Sequence, residues 1–389
     1  MKTKPFRKFG ALVTLLALSA CGAPNDAKDQ GNITSTATLV SKPMTLETLK
    51  VASWNIANLA QAPGVELRGG YARSQEELND IKNIISSLEA DVIAFQEIGS
   101  KPALRQVLDT DVYNFEFETR CLKNSSNCEE DDGKIYTAIA WKNTIDASIF
   151  QIDELAVEHT NECGVTRAVR GAVGISFTNN SQKIHIPSLH IKASCKDDKI
   201  EPGTEDDCKT QRQQFEILDA WMKGLPNGEG VILAGDFNRK LFKRNDDIAD
   251  DFFAGMQDQI LPTPETRSCW KDETYKINFR AMKAQAFDNI PELETRKLNP
   301  LIYNPSYNNE IDFIIHNGLP QAVTVSADQI ELPGYYNFQN PKGAITSCQG
   351  SILTFEDKRT TFVFGEAMPS DHCPILASFD FGEDEESPQ

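Results

Sequence analysis

The stretch Val231-Ile232-Leu233-Ala234-Gly235-Asp236-Phe237-Asn238 constrains this chain more than any other. Its unbroken apolar start suits a short strand covered on both faces. Gly235 has no Cβ, so a neighbouring chain segment can approach its backbone closely. Asp236 and Asn238 stand two apart and project to the same side of an extended chain. A carboxylate and an amide oxygen at the end of a buried strand suit a hard cation or a water to be activated. An ordinary turn uses the same residue types, so the meaning of the stretch depends on what the rest of the chain brings to it.

The flanking segments read as follows. Residues 1–20 have a basic start and a short apolar run, Ala11 to Leu18, too brief to span a bilayer, which predicts a signal peptide. Leu18-Ser19-Ala20-Cys21 is similar to the bacterial lipobox, which implies acylation of Cys21, export, and anchoring in the cell envelope. Gly22 after that cysteine resembles lipoproteins sent to the outer membrane. Residues 21–48 read as a lipid-anchored flexible tether, 49–382 as one domain, and 383–389 as an acidic tail. Removal of residues 1–20, which carry four basic residues and no acid, would take the net charge from −18 to −22. A surface so acidic argues against a broad basic nucleic-acid face and expects any phosphate site to be local and metal-assisted. Eight cysteines besides Cys21 in an exported chain favour disulfides, with Cys121/Cys128 and Cys195/Cys208 as the local candidates. Zinc is the weaker alternative, since no Cys-x-x-Cys or Cys/His cluster is present.

Along the chain, strands are predicted over 49–56, 91–97, 136–141, 168–177, 183–191, 231–236 and 310–316, with a closing strand after Pro374. Pro187 predicts an edge position or a bulge for the fifth of these. Ser74 and Glu77 form a capping box ahead of an amphipathic helix through Leu88, and Thr210–Leu225 predicts a second helix. The Asp/Glu-rich loop over 115–134 has no calcium-loop spacing and reads as solvated.

Polar residues recur at strand ends: Asn55, Glu97, His190, Asp236, Asn238, Asp312, Asp371 and His372. In order, Trp-Asn-Ile, Phe-Gln-Glu, Ser-Leu-His, Gly-Asp-Phe-Asn, Ile-Asp-Phe-Ile and Ser-Asp-His-Cys-Pro resemble the endonuclease/exonuclease/phosphatase superfamily, with its deoxyribonuclease I-like fold. The resemblance implies an α/β (α+β) protein, a four-layer α/β/β/α sandwich, and divalent-metal hydrolysis of phosphate esters. It implies Glu97, Asn55 and Asp371 at the metal, with Mg²⁺ or Mn²⁺ as the ion and Ca²⁺ as a third candidate. It implies catalytic roles for His372, His190, Asp236, Asn238 and Asp312, with Asp312 orienting His372. Arg170 and Asn238 would bind phosphate, with Arg167 competing for the match to Arg170. His190 resembles the second histidine of the deoxyribonuclease I and sphingomyelinase branches, although its glutamate partner has no clear counterpart near Tyr136. His159 and His185 read as structural or surface residues.

The residue chemistry agrees, because an imidazole titrates near neutrality and a carboxylate on its far nitrogen fixes its tautomer. The leading expectation is a nuclease that cleaves DNA, with RNA as a further substrate. A sphingomyelinase-like phospholipid phosphodiesterase, an inositol-phosphate phosphatase and an inactive binding module are the alternatives. The expected partners are nucleic acid as substrate and a membrane through the N-terminal lipid, with no protein partner implied.

Overall fold

The computed structural model describes residues 45–68, 72–160, 164–195, 206–241, 246–254, 311–320, 323–329, 345–349, 352–355 and 372–382. Cys21, the signal segment, residues 21–44 of the expected tether, Asp371 and the acidic tail lie outside the described residues, whereas 45–48 join the domain: Leu46 exchanges hydrogen bonds with the Asn179 side chain and Thr48 opens the first strand.

The strands, in chain order, are β1 (Thr48–Leu59), β2 (Val92–Ile98), β3 (Tyr113–Phe117), β4 (Tyr136–Lys142), β5 (Ser148–Ile152), β6 (Glu158–Thr160), β7 (Thr166–Ala168), β8 (Ala172–Asn179), β9 (Gln182–His190), β10 (Gly230–Asp236), β11 (Asp312–Asn317), β12 (Thr324–Gln329), β13 (Ile345–Gln349), β14 (Ile352–Phe355) and β15 (Ile375–Asp380). The helices are α1 (Gln75–Leu88), α2 (Lys101–Val107), α3 (Thr119–Leu122), α4 (Asp206–Lys223) and α5 (Asp247–Phe253). One mixed sheet runs β12-β15-β1-β2-β4-β3 and the other β11-β10-β9-β8-β5, while β6-β7 and β13-β14 form separate two-stranded ribbons.

Alternation along the strands explains why two sheets stack between helices. In β10, Ile232 and Ala234 face the layer between the sheets, while Val231 and Leu233 face a second core that includes Phe215 and Leu218 of α4 and Phe252 of α5. In β2, Val92 and Ala94 enter the inter-sheet layer, and Ile93 and Phe95 pack with Leu78, Ile81, Ile85 and Leu88 of α1. A period of two on each strand and a helical stripe on each flanking helix thus give three apolar layers among four structural ones. The four-layer α/β sandwich expected from the sequence is the observed architecture. Ser74 closes its capping box with Glu77 at the start of α1.

Three expectations are corrected. Strand β9 is interior, paired with β8 on one side and β10 on the other, and is not at an edge. Pro187 is accommodated because the parallel ladder to β10 runs Gly230↔Ile184 and Val231↔His185, then resumes at Ala234↔Ser188. The missing N–H falls where that ladder is open. The segment 168–177 is also not one strand, because the backbone leaves β7 after Ala168 and re-enters the sheet at Ala172. Helix α4 begins at Asp206, ahead of the predicted Thr210, and its first turn is acidic.

Between described residues, Cys121 is bridged to Cys128 and Cys195 to Cys208, with Cα–Cα distances of 5.0 and 5.1 Å. Both match the local pairings read from the sequence. No helix among the described residues is long and apolar enough to cross a membrane.

Candidate active site

Three neighbouring strands of the second sheet deliver charged residues to one end. His190 closes β9, Asp236 closes β10 and Asp312 opens β11, and Asp236 is the register partner of both others. Gly235 makes this spacing achievable, since a Cβ there would lie 2.1 Å from the carbonyl oxygen of Leu189. From the other sheet, β1 and β2 supply Asn55 and Glu97 where their pairing shifts register, between Asn55 and Leu59. Ala57, Asn58 and Glu97 all take positive φ, at 54°, 57° and 63°. Left-handed backbone at non-glycine residues is unfavourable and persists where surroundings enforce it. Here Arg73 supplies the enforcement by donating to the carbonyls of Ile56, Ala57 and Asn58.

His372 arrives just before β15. Its backbone carbonyl accepts a 2.9 Å hydrogen bond from the indole N–H of Trp54. Its Nδ1 lies 2.7 Å from Asp312 Oδ2, and its Nε2 lies 4.0 Å from Asp236 Oδ2. The imidazole therefore stands between two carboxylates, with Asp312 positioned to fix its tautomer. Asp236 is buried, accepts from the Asn238 N–H at 2.8 Å and from Asn55 Nδ2 at 3.0 Å, and lies 3.5 Å from His190 Nε2. Burial, followed by the repulsion of Asp312, pushes its carboxyl up to about 7 against the pull of His372. Burial pushes the His190 imidazole well down, reinforced by Arg170, so it is neutral at working pH. Its Nε2 lies 3.9 Å from Glu97 Oε1, and its buried Nδ1 has no hydrogen-bond partner among the described residues. No glutamate is bonded to it there.

The remaining sequence candidates fall as follows. Asn238 sits at φ 51° and donates through Nδ2 to the Ile191 carbonyl. Arg170 reaches the strand ends, donating through Nε to the His190 carbonyl at 3.2 Å and through Nη2 to that of Ile191 at 2.6 Å. Arg167 lies on the exposed ribbon strand β7 instead. Glu97 Oε2 accepts from the Asn58 N–H at 3.1 Å. Asn55 touches the site through its amide nitrogen, while its Oδ1 accepts from the Ala57 N–H at 3.0 Å. His159 and His185 are buried structural residues: His159 bridges Thr210 and Asp207, and His185 bridges Ser176 and Glu229.

The donor set fits a hard divalent cation. Ligand atoms of Asp236, Asp312 and His372 lie within 4.8 Å of one another. A cation bound here would offset both influences that push the Asp236 carboxyl up, burial first and the charge of Asp312 second. Glu97 adds carboxylate oxygens nearby, and oxygen-rich sets suit Mg²⁺, Mn²⁺ or Ca²⁺.

Sequence reading missed the residues that hold this geometry. Gln96 is fully buried between the sheets and donates to Ser188 Oγ at 3.3 Å and Ser53 Oγ at 3.4 Å. On α4, Gln211 Nε2 donates to the carbonyls of Lys192 at 2.8 Å and Asn238 at 3.1 Å. One turn on, Gln214 accepts from the Lys192 N–H at 2.8 Å and donates to the carbonyls of Leu155 and Arg170. Two buried amides on one helix thereby clamp the backbone beside His190, Asn238 and Arg170. The available signal was a pair of glutamines three apart on the otherwise apolar face of a helix, where an unpaired amide would be costly.

Among known proteins, the family model described as "Endonuclease/Exonuclease/phosphatase family" matches residues 52–372. No curated protein sequence matches the chain. Similar solved structures include a humanised TDP2 from D. rerio, with TM-score 0.45 and 16% identity over 86% of this chain and 99% of that one. An endonuclease/exonuclease/phosphatase from Bacteroides vulgatus gives 0.45 and 16%, over 85% and 98%. Sphingomyelinase C from Streptomyces griseocarneus gives 0.47 and 14%, over 85% and 99%.

Proposed function

This chain belongs to the endonuclease/exonuclease/phosphatase family of phosphate-ester hydrolases, and on that premise we propose that it is a metal-dependent phosphodiesterase acting on nucleic acid. The observation that carries the reading is the alignment of Asp312, His372 and Asp236, with 2.7 Å and 4.0 Å on the two sides of the imidazole. Asp312 holds Nδ1 and stabilises the imidazolium, leaving Nε2 to donate to the departing oxygen. Asp236, with its raised affinity for a proton, accepts one from the attacking water. Arg170 and Asn238 position the phosphate, and neutral His190 donates a hydrogen bond without adding charge. Glu97, Asn55 and Asp371 would hold Mg²⁺ or Mn²⁺. When bound, that ion neutralises charge building on the phosphate oxygens.

The purified protein should cleave duplex and single-stranded DNA, and RNA, in Mg²⁺ or Mn²⁺, and chelator should abolish the activity. His372→Ala should lower the rate by roughly 10²–10⁴-fold, and Asp312→Asn by less. Cleavage that survives chelation, or full activity in His372→Ala, would sink this reading.

One feature favours a second reading. Ribbon β13-β14 is hydrogen-bonded to neither main sheet and pairs Ile345 with Phe355 and Cys348 with Leu353. A hairpin apart from both main sheets is an element that can meet a bilayer interface, so a phospholipid phosphodiesterase is the alternative. Turnover of sphingomyelin with none of DNA or RNA would replace the first reading by the second. We further propose that Cys21 carries a lipid that anchors the protein in the cell envelope. A Cys21→Ser variant that still fractionates with membranes overturns that assignment.

A further inference from the structure

Although the chain carries a net charge of −18, four arginines gather on one flank of the site. Arg120 is the hub. It is bidentate on buried Glu118, at 2.8 and 2.6 Å, lies over the Tyr136 ring, and donates to the carbonyls of Ala168 at 3.2 Å and Ile135 at 3.3 Å. Those two carbonyls place its neighbours. Ala168 follows Arg167 on exposed β7, and Ile135 packs with Leu67 and Ala60, so Arg68 emerges beside it. Arg170 follows two residues after Ala168 and reaches the carbonyls of His190 and Ile191.

The four differ in what they bind. Glu118 neutralises Arg120, and its second oxygen accepts from the Gly171 N–H at 2.6 Å, which fixes the backbone beside Arg170. Arg68 and Arg167 are exposed and make no hydrogen bond or ion pair among the described residues. Arg68 is held at φ 56°, in the left-handed region. Both arginines act electrostatically on this flank: the charge of Arg68 reaches His190, and that of Arg167 reaches Arg68. The acids that face the group are Glu118, used by Arg120; Glu97, whose charge reaches Arg68 and Arg170; and Asp236, whose charge reaches Arg170; Asp132 is taken by Lys134 and the Tyr136 hydroxyl. Guanidinium groups with no acid bonded to them disfavour one another unless an anion lies between them.

We propose that Arg68 and Arg167 form a second anion subsite, which takes a phosphate next to the one being cleaved. This deepens the nucleic-acid reading and rests on it. A substrate with a phosphate at each residue of its backbone places a second charge beside the scissile one, whereas a zwitterionic phospholipid offers only one phosphate. Guanidinium forks bind phosphate oxygens in pairs. The subsite therefore selects a polyanionic strand over a single diester, and it acts on binding, while Arg170 serves the scissile phosphate.

The test uses the full protein with Mg²⁺ and two substrates, a single-stranded oligonucleotide and bis(p-nitrophenyl) phosphate, which has one phosphate and no neighbour. Arg68→Gln plus Arg167→Gln should raise KM for the oligonucleotide by at least tenfold and leave kcat/KM for the small diester unchanged. The slope of log(kcat/KM) for the oligonucleotide against log salt should flatten by about 0.7 for each arginine removed. If the parent cleaves the oligonucleotide and the double variant keeps its KM and salt slope, the subsite does not exist, although the nuclease reading stands. If the double variant loses both substrates equally, the arginines act on folding or chemistry and the proposal is wrong. If the parent turns over the small diester and phosphatidylglycerol or sphingomyelin vesicles but no oligonucleotide, the nucleic-acid reading falls and takes the subsite with it.

Discussion

Gly235→Ala is the smallest change that should dismantle the site without touching any reacting group. A Cβ at this position would lie 2.1 Å from Leu189 O and 2.8 Å from both Leu189 C and Leu189 Cβ. Ordinary contacts between such atoms begin above about 3.4 Å, so β9 and β10 must separate by roughly 1 Å. The obstacle is the backbone of the neighbouring strand, which cannot rotate away as a side chain would. Next along the two strands are His190 and Asp236, now 3.5 Å apart, and the Ile191 N–H that donates to the Asp236 carbonyl at 2.9 Å. Displacement by about 1 Å costs on the order of 10²-fold in rate, and overpacking of this kind costs about 1–3 kcal/mol. Turnover of bis(p-nitrophenyl) phosphate and thermal unfolding should be measured together. Gly230→Ala is the control in the same strand, because its nearest obstacle is the flexible Leu319 Cδ2 at 2.6 Å. It should keep most of the activity. A Gly235→Ala protein that melts with the parent and turns over at the parental rate would refute the idea that this close approach builds the site.

Two further perturbations probe the charge and the clamp. Asp236 titrates near 7 when folded and near 3.8 when unfolded, so between these values only the unfolded chain releases the proton, and stability falls as pH rises. In chelator, the parent should lose up to about 4 kcal/mol between pH 4 and pH 8 relative to Asp236→Asn; a parent-minus-variant difference that is flat with pH contradicts this. Gln211→Leu removes the donors to the Lys192 and Asn238 carbonyls, costing about 1–3 kcal/mol for each acceptor left unsatisfied. Its kcat should fall further than its KM rises, and unchanged kcat in a folded variant would show that the amide does not position Asn238.

The sequence made the layers legible because apolar alternation is a local signal, visible in Ile232 and Ala234 against Val231 and Leu233. His372, Asp312, Asp236 and His190 were legible because each sits at a strand end inside a short motif. What holds them was not. The contacts of Gln96 with Ser188 and of Gln211 with Asn238 join residues 92 and 27 apart, so the partners are not readable locally even where the apolar face of α4 marks its glutamines as buried. Pro187 misled for the same reason, because its tolerance depends on which bridges β10 leaves open. The arginine flank was hidden because Arg68, Arg120 and Arg167 come from a loop, α3 and β7, and the overall charge has the opposite sign.

The bond from Trp54 to the carbonyl of His372 spans 318 residues, and β1, the strand carrying Trp54, lies between β2 and β15. At roughly 5–20 residues per second of synthesis, about 15–60 seconds separate the two residues leaving the ribosome. Until β15 arrives, one edge of β1 lacks that partner and the imidazole is absent from the cluster. A nascent chain is therefore a harmless one, unable to attack phosphate esters in the cell that makes it.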